Sequence, residues 1–233
     1  MSFFQYHPDI LTRFPNIVCG LLIAKNMTNC PTLDPLRDSY QEEQQIAIKR
    51  IGTTPLSELD SLAAWRLVFR NFGVNPTKYR NASEALLRRL IKKGDIPSIN
   101  TIVDICNMVS IRYELPVAAF DTLQLSLPIT VCFAEGNEDF TPLFSQESEH
   151  PDSGEVIFID KANMVVARRW CWRQSDGSAT RMETKQAIFT IEAHHDGGKT
   201  VVNQALQDLH DLLDMHAGGD IIKTSLDAQN PIC

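Results

Sequence analysis

The sequence offers neither paired cysteines to staple it nor an apolar run long enough to cross a bilayer. Its six cysteines (Cys19, Cys30, Cys106, Cys132, Cys171 and Cys233) are scattered without a CxxC pair, which gives no disulfide framework and no thiolate knuckle for a metal. Such thiols suit a reducing cytoplasm. The longest apolar stretch covers only residues 17–24, against the ~20 residues that a membrane-spanning helix needs. The segment before it has one arginine and no small-residue cleavage site, so no signal peptide is expected. Internal repeats and low-complexity tracts are also missing. His194-His195-Asp196 has the look of a metal cluster, but adjacent histidines on a strand point to opposite faces, and no third ligand follows at a useful spacing. No metal and no cofactor are expected.

What is present is an ordinary globular composition, 43% hydrophobic and 22% charged over 233 residues. That length suits one large domain, or a compact domain with an N-terminal elaboration. The net charge of −7 argues against a general nucleic-acid adhesive, yet the charge is unevenly spread. Eight basic residues lie between Arg66 and Asp95, opposed only by Glu84 and Asp95; this window carries +6 and the rest of the chain −13. A concentrated basic surface on an acidic protein steers a polyanion to one place, although a solvated helix face gives the same pattern.

Residues 16–25 read as a buried strand, and residues 35–50 as a polar, exposed helix ending at Gly52. In SELDSLAAWRLVFRNFG, Ser57 and Asp60 resemble a capping box before an apolar face running from Leu59 to Phe69. A short helix over 83–93 places Leu86, Leu87, Leu90 and Ile91 at helical spacing, its basic residues on the other side and Gly94 at its end. Another helix is predicted over 100–112. From there the signal turns to strands, over 129–134, 155–160, 164–170 and 187–193, with an acidic loop at 135–154. An amphipathic helix over 200–216 covers the end. Helices first, then strands, then a covering helix imply an α+β fold rather than a doubly wound sheet.

The segments AWRLVFRNFGVNPTKYRNASEALLRRLIKKGDIPSINTIVDICNMVSIRYELPVAAFD, EGNEDFTPL, SGEVIFID, ARRWCWRQSD and ETKQAIFTIE occur in one order over more than half of the chain. In this they resemble the solo B3/4-domain proteins, relatives of the editing domain of the phenylalanyl-tRNA synthetase beta subunit. The resemblance implies an α+β editing core over 61–216 with an elaboration over 1–60, in a single domain. It also implies a hydrolase that acts in trans on mischarged aminoacyl-tRNA, with tRNA as partner and neither DNA nor a membrane. In the synthetase this domain clears tyrosine from phenylalanine tRNA. One free-standing branch removes the arginine analogue canavanine from arginine tRNA.

The family's Thr-Asn pair matches Cys106 and Asn107, so the Asn is kept and the Thr is not. Ala118 stands where the synthetase has a His, and Cys171 where solo relatives usually have Asn. The Glu that reads the tyrosine hydroxyl falls at Thr190 by ungapped counting, or at Glu192 with a two-residue shift. These departures speak against tyrosine as the substrate.

An aminoacyl ester is already reactive, so its hydrolysis needs an oriented water, a held carbonyl and a stabilised oxyanion rather than elaborate machinery. Asn107 is the expected catalytic residue. In ARRWCWRQSD, a strand would put Arg169, Cys171 and Arg173 on one face and Trp170 and Trp172 on the other. Two arrangements follow: buried indoles with Arg168, Arg169, Arg173 and Gln174 near ligand, or an indole stacked on the terminal adenine. Asp121 and Glu192 are candidates to read a cationic side chain or the α-amino group. Lys78, Arg80, Arg88, Arg89, Lys92 and Lys93 would hold the tRNA backbone. Two other functions fit the same residues: a tRNA-binding module without hydrolysis, and a small-molecule hydrolase using Cys106 as nucleophile.

Overall fold

The computed structural model describes residues 2–233 and is an α+β structure of two sheets with helices packed on one of them. The organising element is strand β2 (Val18–Lys25), whose apolar run is buried on both faces. Its even-numbered residues, Leu22 and Ala24, enter one core while Cys19, Leu21 and Ile23 enter another. Period-two alternation thus feeds two cores from one short run. Gly20 is the point of closest approach to the helical layer, where an added Cβ would meet Val202 and Leu206 at 3.1 Å.

Three further strands join β2 in an antiparallel sheet ordered β3-β8-β2-β9, with β3 spanning Val117–Asp121, β8 Ala187–Ala193 and β9 Asp220–Asp227. Helices α2 (Asp34–Ile51), α4 (Ala82–Lys93), α5 (Thr101–Tyr113) and α6 (Gly198–His216) contribute to the first core. The second sheet is ordered β1-β4-β5-β6-β7 and comprises Phe4–Tyr6, Ile129–Phe133, Val156–Ile159, Val165–Arg168 and Arg173–Gln174. Helix α3 (Asp60–Asn71) contributes Trp65, Val68 and Phe69 to the core between the sheets. A short helix α1 (Pro8–Arg13) follows β1. Among the described residues, no helix is long and apolar enough to cross a membrane.

The helices expected at 83–93, 100–112 and 200–216 form within two residues of those bounds. Asn81 and Asn100 cap two of them through Glu84 N (2.8 Å) and Val103 N (3.0 Å), and Gly94 ends α4 at φ 82°. Two expectations change. The capping box does not form: Leu59 is the N-cap of α3, without a side-chain bond, and Ser57 lies in a 3₁₀ turn over Leu56–Glu58. Helix α2 is not an exposed polar helix, since it buries Leu36, Tyr40, Glu43, Gln44, Ala47 and Ile51. Gln44 and Glu43 are buried because they are bonded: Gln44 exchanges two hydrogen bonds with the Ile96 backbone, and Glu43 accepts from Arg112 Nε at 2.7 Å. The first sixty residues are woven into both sheets, through β2 as an inner strand and β1 beside β4.

Candidate functional site

The apolar alternation of β8 fails on one face, and that failure marks the site. Ala187, Phe189, Ile191 and Ala193 enter the helix-side core, whereas Thr190 and Glu192 face the space between the sheets. There they line a cavity of about 170 Å³. Helix α5 presents Val103, Cys106 and Asn107 to it, which the i, i+3, i+4 spacing puts on one helical face. Ala118 lies beside Thr190 in the β3–β8 register, so the small side chain leaves room where a His would stand. Trp170, Cys171, Trp172, Arg173 and Gln174 complete the lining from the second sheet. Thr190 and Glu192 both reach the cavity because residues two apart share a strand face.

The ARRWCW segment is a corner rather than a strand. Strand β6 ends at Arg168, and Arg169 and Trp170 both take left-handed backbone at φ 45° and 62°. Such conformations cost non-glycine residues about 1–3 kcal/mol each and persist only where the surroundings hold them. Here Arg169 N donates to Glu155 Oε1 (3.1 Å), Trp170 N to Val156 O (2.7 Å) and Trp172 N to Arg168 O (3.1 Å). The corner drives Trp170 fully into the core against Phe14, Trp65 and His194. It leaves Trp172 and Arg173 at the cavity wall.

The expected ligand role of Arg168 and Arg169 is corrected by their partners. Arg168 is buried and makes a fork onto Glu155 (2.8 and 2.9 Å), with a third bond to Glu149 (2.7 Å). Arg169 pairs with Asp152 (3.0 Å) and lies over the rings of Tyr79 (3.9 Å) and Trp172 (4.5 Å), which meet each other edge-on at 5.0 Å. Their fields are spent on the acidic loop, and neither lines the cavity. Asp121 is likewise outside it, accepting from Thr184 Oγ1 (2.5 Å) and Leu123 N (2.8 Å) at the end of β3. Gln174 lines the cavity while its amide donates to Ala119 O (2.8 Å) and Ser178 O (2.6 Å), tying the two sheets together.

Glu192 is the one carboxylate of the cavity lining. Its Oε1 accepts from the Tyr6 hydroxyl at 2.5 Å and from Trp170 Nε1 at 2.9 Å. Burial pushes its carboxyl up to about 7, and these two donors pull the other way. A carboxyl raised on folding stabilises the fold fully below its ordinary 4.5, and that stability is lost as the pH rises through about 7. The loss is worth roughly 3 kcal/mol. Glu192→Gln therefore melts higher than the native protein at pH 8 and not at pH 5. Thermal unfolding at the two pH values checks this, and an equal difference at both would refute it.

Cys106 lines the same cavity, but burial pushes its thiol up to about 12, with the Asp104 carboxylate adding to the effect. A nucleophilic cysteine needs the opposite environment. Asn107 lies near the buried Tyr40 hydroxyl without a hydrogen bond of ordinary geometry, and its amide remains open to the cavity. His194 and His195 lie just beyond the end of β8, and burial holds His194 neutral, down to about 3.

The six basic residues from 78 to 93 do gather. Lys78, Arg80, Arg88, Arg89, Lys92 and Lys93 line a cleft of about 460 Å³ beside α4, together with Trp172 and Arg173. Arg80 leans on Glu84 at 3.7 Å; among the described residues, Arg88, Arg89, Lys92 and Lys93 have no carboxylate within ion-pair distance. Tyr6 is the site residue that the sequence did not announce. It lies 186 positions from its partner Glu192, in a three-residue strand too short to carry a periodic signal.

The B3/4 domain family matches residues 64–209. The phenylalanine–tRNA ligase beta subunit of Shewanella oneidensis is 30% identical over 94 residues, covering 40% of this chain and 12% of that protein. The same subunit of Staphylococcus saprophyticus is 38% identical over 85 residues, covering 36% and 10%. The chain thus aligns with about a tenth of the length of these relatives. Among solved structures, an N-terminal fragment of the phenylalanyl-tRNA synthetase beta subunit from Pyrococcus horikoshii superimposes with a TM-score of 0.47 at 14% identity, covering 96% of this chain and 53% of the fragment. The family match spans well over half of the sequence and includes the helix, the corner and the strand that build the cavity: the chain belongs to the B3/4 domain family.

Proposed function

We propose that the protein is an aminoacyl-tRNA deacylase, removing a wrong amino acid from tRNA in trans in the cytoplasm. The observation that carries this reading is that Trp172 and Arg173 line both the cavity and the basic cleft. A polyanion held on α4 can therefore deliver its end into a chamber with polar groups. The aminoacyl ester sits with its carbonyl near Asn107, which orients the attacking water and donates to the developing oxyanion. Backbone donors and the terminal ribose hydroxyl complete the set, so no dedicated general base is required. Arg173 meets the charged end of the tRNA, and the Glu192 carboxyl reads a polar or cationic group on the amino acid. Buried polar readers reject an analogue lacking the matching group by about 10⁴–10⁵-fold, against roughly 10–200-fold for one methylene in an apolar pocket. An arginine analogue on arginine tRNA is the first substrate to try.

The test is a panel of arginine-type and phenylalanine-type tRNAs carrying correct, near-isosteric and analogue amino acids. Selective release of one wrong amino acid, with its correct counterpart left intact, is the expected result. Survival of every ester while the tRNA still binds would replace the enzyme by a binding module. The cleft makes a separate prediction. Arg89→Ala and Lys93→Ala each weaken tRNA binding across sequences and flatten the log–log salt dependence by about 0.7–0.9 per lost phosphate contact. Filter binding between low and moderate salt reads this slope, and an unchanged slope would move the tRNA off α4. Nothing around Cys106 favours the small-molecule hydrolase, because its thiol is held protonated.

A further inference from the structure

Glu192 reaches the cavity from β8, but one of the two donors that hold it comes from outside the stretch matched to the family. Tyr6 precedes residues 64–209, and its hydroxyl donates to Glu192 Oε1 alongside the Trp170 indole. Two donors on one oxygen leave Oε2, with no partner among the described residues, as the acceptor that the carboxyl offers to the cavity. The tyrosine is itself fixed on three sides. It pairs with Val131 across the parallel β1–β4 ladder. Its N–H donates to Pro231 O at 3.1 Å, and Phe4 meets its ring edge-on at 5.4 Å. A phenol buried this deeply stays protonated, because burial and the neighbouring carboxylate both disfavour the phenolate. It is therefore a permanent donor.

We propose that Tyr6 is a positioning residue for the specificity carboxylate: its hydroxyl orients Glu192 and favours the carboxylate over the neutral acid, so that the cavity selects a substrate group bearing a positive charge or a strong donor. The proposal rests on the reading of this cavity as an aminoacyl site. Several groups face Glu192. Tyr6 comes from β1 and Cys19 from β2. Trp170 and Cys171 come from the corner, and Arg173 lines the same cavity from β7. His194 follows two residues on, just past the end of β8, and is held neutral by burial. Both thiols are pushed well up by burial and stay uncharged. The charge of Glu192 is thus governed by its two hydrogen-bond donors, against the cost of burial. Removing one donor favours the neutral acid.

The experiment is a carboxyl-carbon NMR titration of glutamate-labelled full-length protein, with the Glu192 signal assigned by its loss in Glu192→Gln. In Tyr6→Phe the midpoint is expected to rise by about one to two pH units, the value of a hydrogen bond to a charged group. Protein in which tyrosine is replaced by 3-fluorotyrosine, a more acidic donor of nearly the same shape, shifts the midpoint downward. Opposite shifts from two changes that preserve packing cannot come from a merely structural ring. An unchanged midpoint in both would overturn the proposal. If the deacylation panel shows no ester cleaved by the native protein while the midpoint still moves, the editing reading fails and the positioning role stands.

Discussion

Asn107→Ala is expected to lower deacylation of the susceptible tRNA by about 10²–10³-fold while leaving its binding nearly unchanged. The magnitude is that of removing one preorganised donor from an oxyanion site. The argument for this residue is positional. Val103, Cys106 and Asn107 form the one face of α5 that meets the cavity, and the other two offer an apolar side chain and a thiol held protonated at about 12. Asn107 is therefore the α5 side chain able both to donate to a developing negative charge and to accept from a water. Helix α5 is a firm mount: buried Asp104 accepts from Thr32 Oγ1 at 2.6 Å and from Ile99 N at 2.9 Å. A loss confined to kcat marks a group acting on the transition state, whereas a rise in KM alone would assign Asn107 to ground-state binding. A variant with full activity would remove it from the mechanism.

Glu155→Ala is expected to be the most destabilising single change near the site, by about 3–5 kcal/mol, the cost of leaving a buried ion pair half-made. One carboxylate accepts the Arg168 fork at 2.8 and 2.9 Å and the Arg169 N–H at 3.1 Å, and lies 3.5 Å from the Arg169 guanidinium. Its removal leaves buried Arg168 with only the half-exposed Glu149 and buried Arg169 with only the exposed Asp152, and takes away the acceptor that holds the left-handed corner at Arg169. For a chain of this size the melting temperature should fall by roughly 6–20 °C. Replacing the pair together, by Glu155→Leu with Arg168→Met, restores much of the stability, because apolar groups of similar volume carry no desolvation cost. A drop below about 1 kcal/mol for the single variant would show that the corner stands without this carboxylate.

The two predictions concern residues of very different legibility. Asn107 was readable from the resemblance alone, since α5 forms where its periodicity and the Asn100 cap require. The basic cleft was readable too, because α4 is amphipathic and its cations have nowhere to go but solvent. The corner was not. A run of Arg, Trp and Cys has the composition of a strand, and its reversal is imposed by Glu155, an acceptor thirteen and fourteen positions away. Sequence order alone predicts alternating faces there, and so misses the carboxylates that hold Arg168 and Arg169. Strands β1, β3 and β9 escaped for a related reason: they are short, or carry polar residues along a sheet edge, and their pairing partners lie far off in the chain.

The sequence by itself determined the α+β class, the positions of helices α4, α5 and α6 and of strands β2, β4, β5, β6 and β8, the concentration of positive charge, and the kinship to the B3/4 domain. All of these follow from local patterns, a period of 3.6 or 2, a capping residue or a stretch of motif, which need no distant partner to be expressed. Tertiary structure decided which polar residues belong to the cavity. It chose both Thr190 and Glu192 because a strand face repeats every two residues, and it withdrew Arg168, Arg169 and Asp121 because nearer partners satisfied them first. It also brought Tyr6 onto Glu192. A buried charge takes its role from whichever groups surround it in space, and that identity is settled only when the two sheets close.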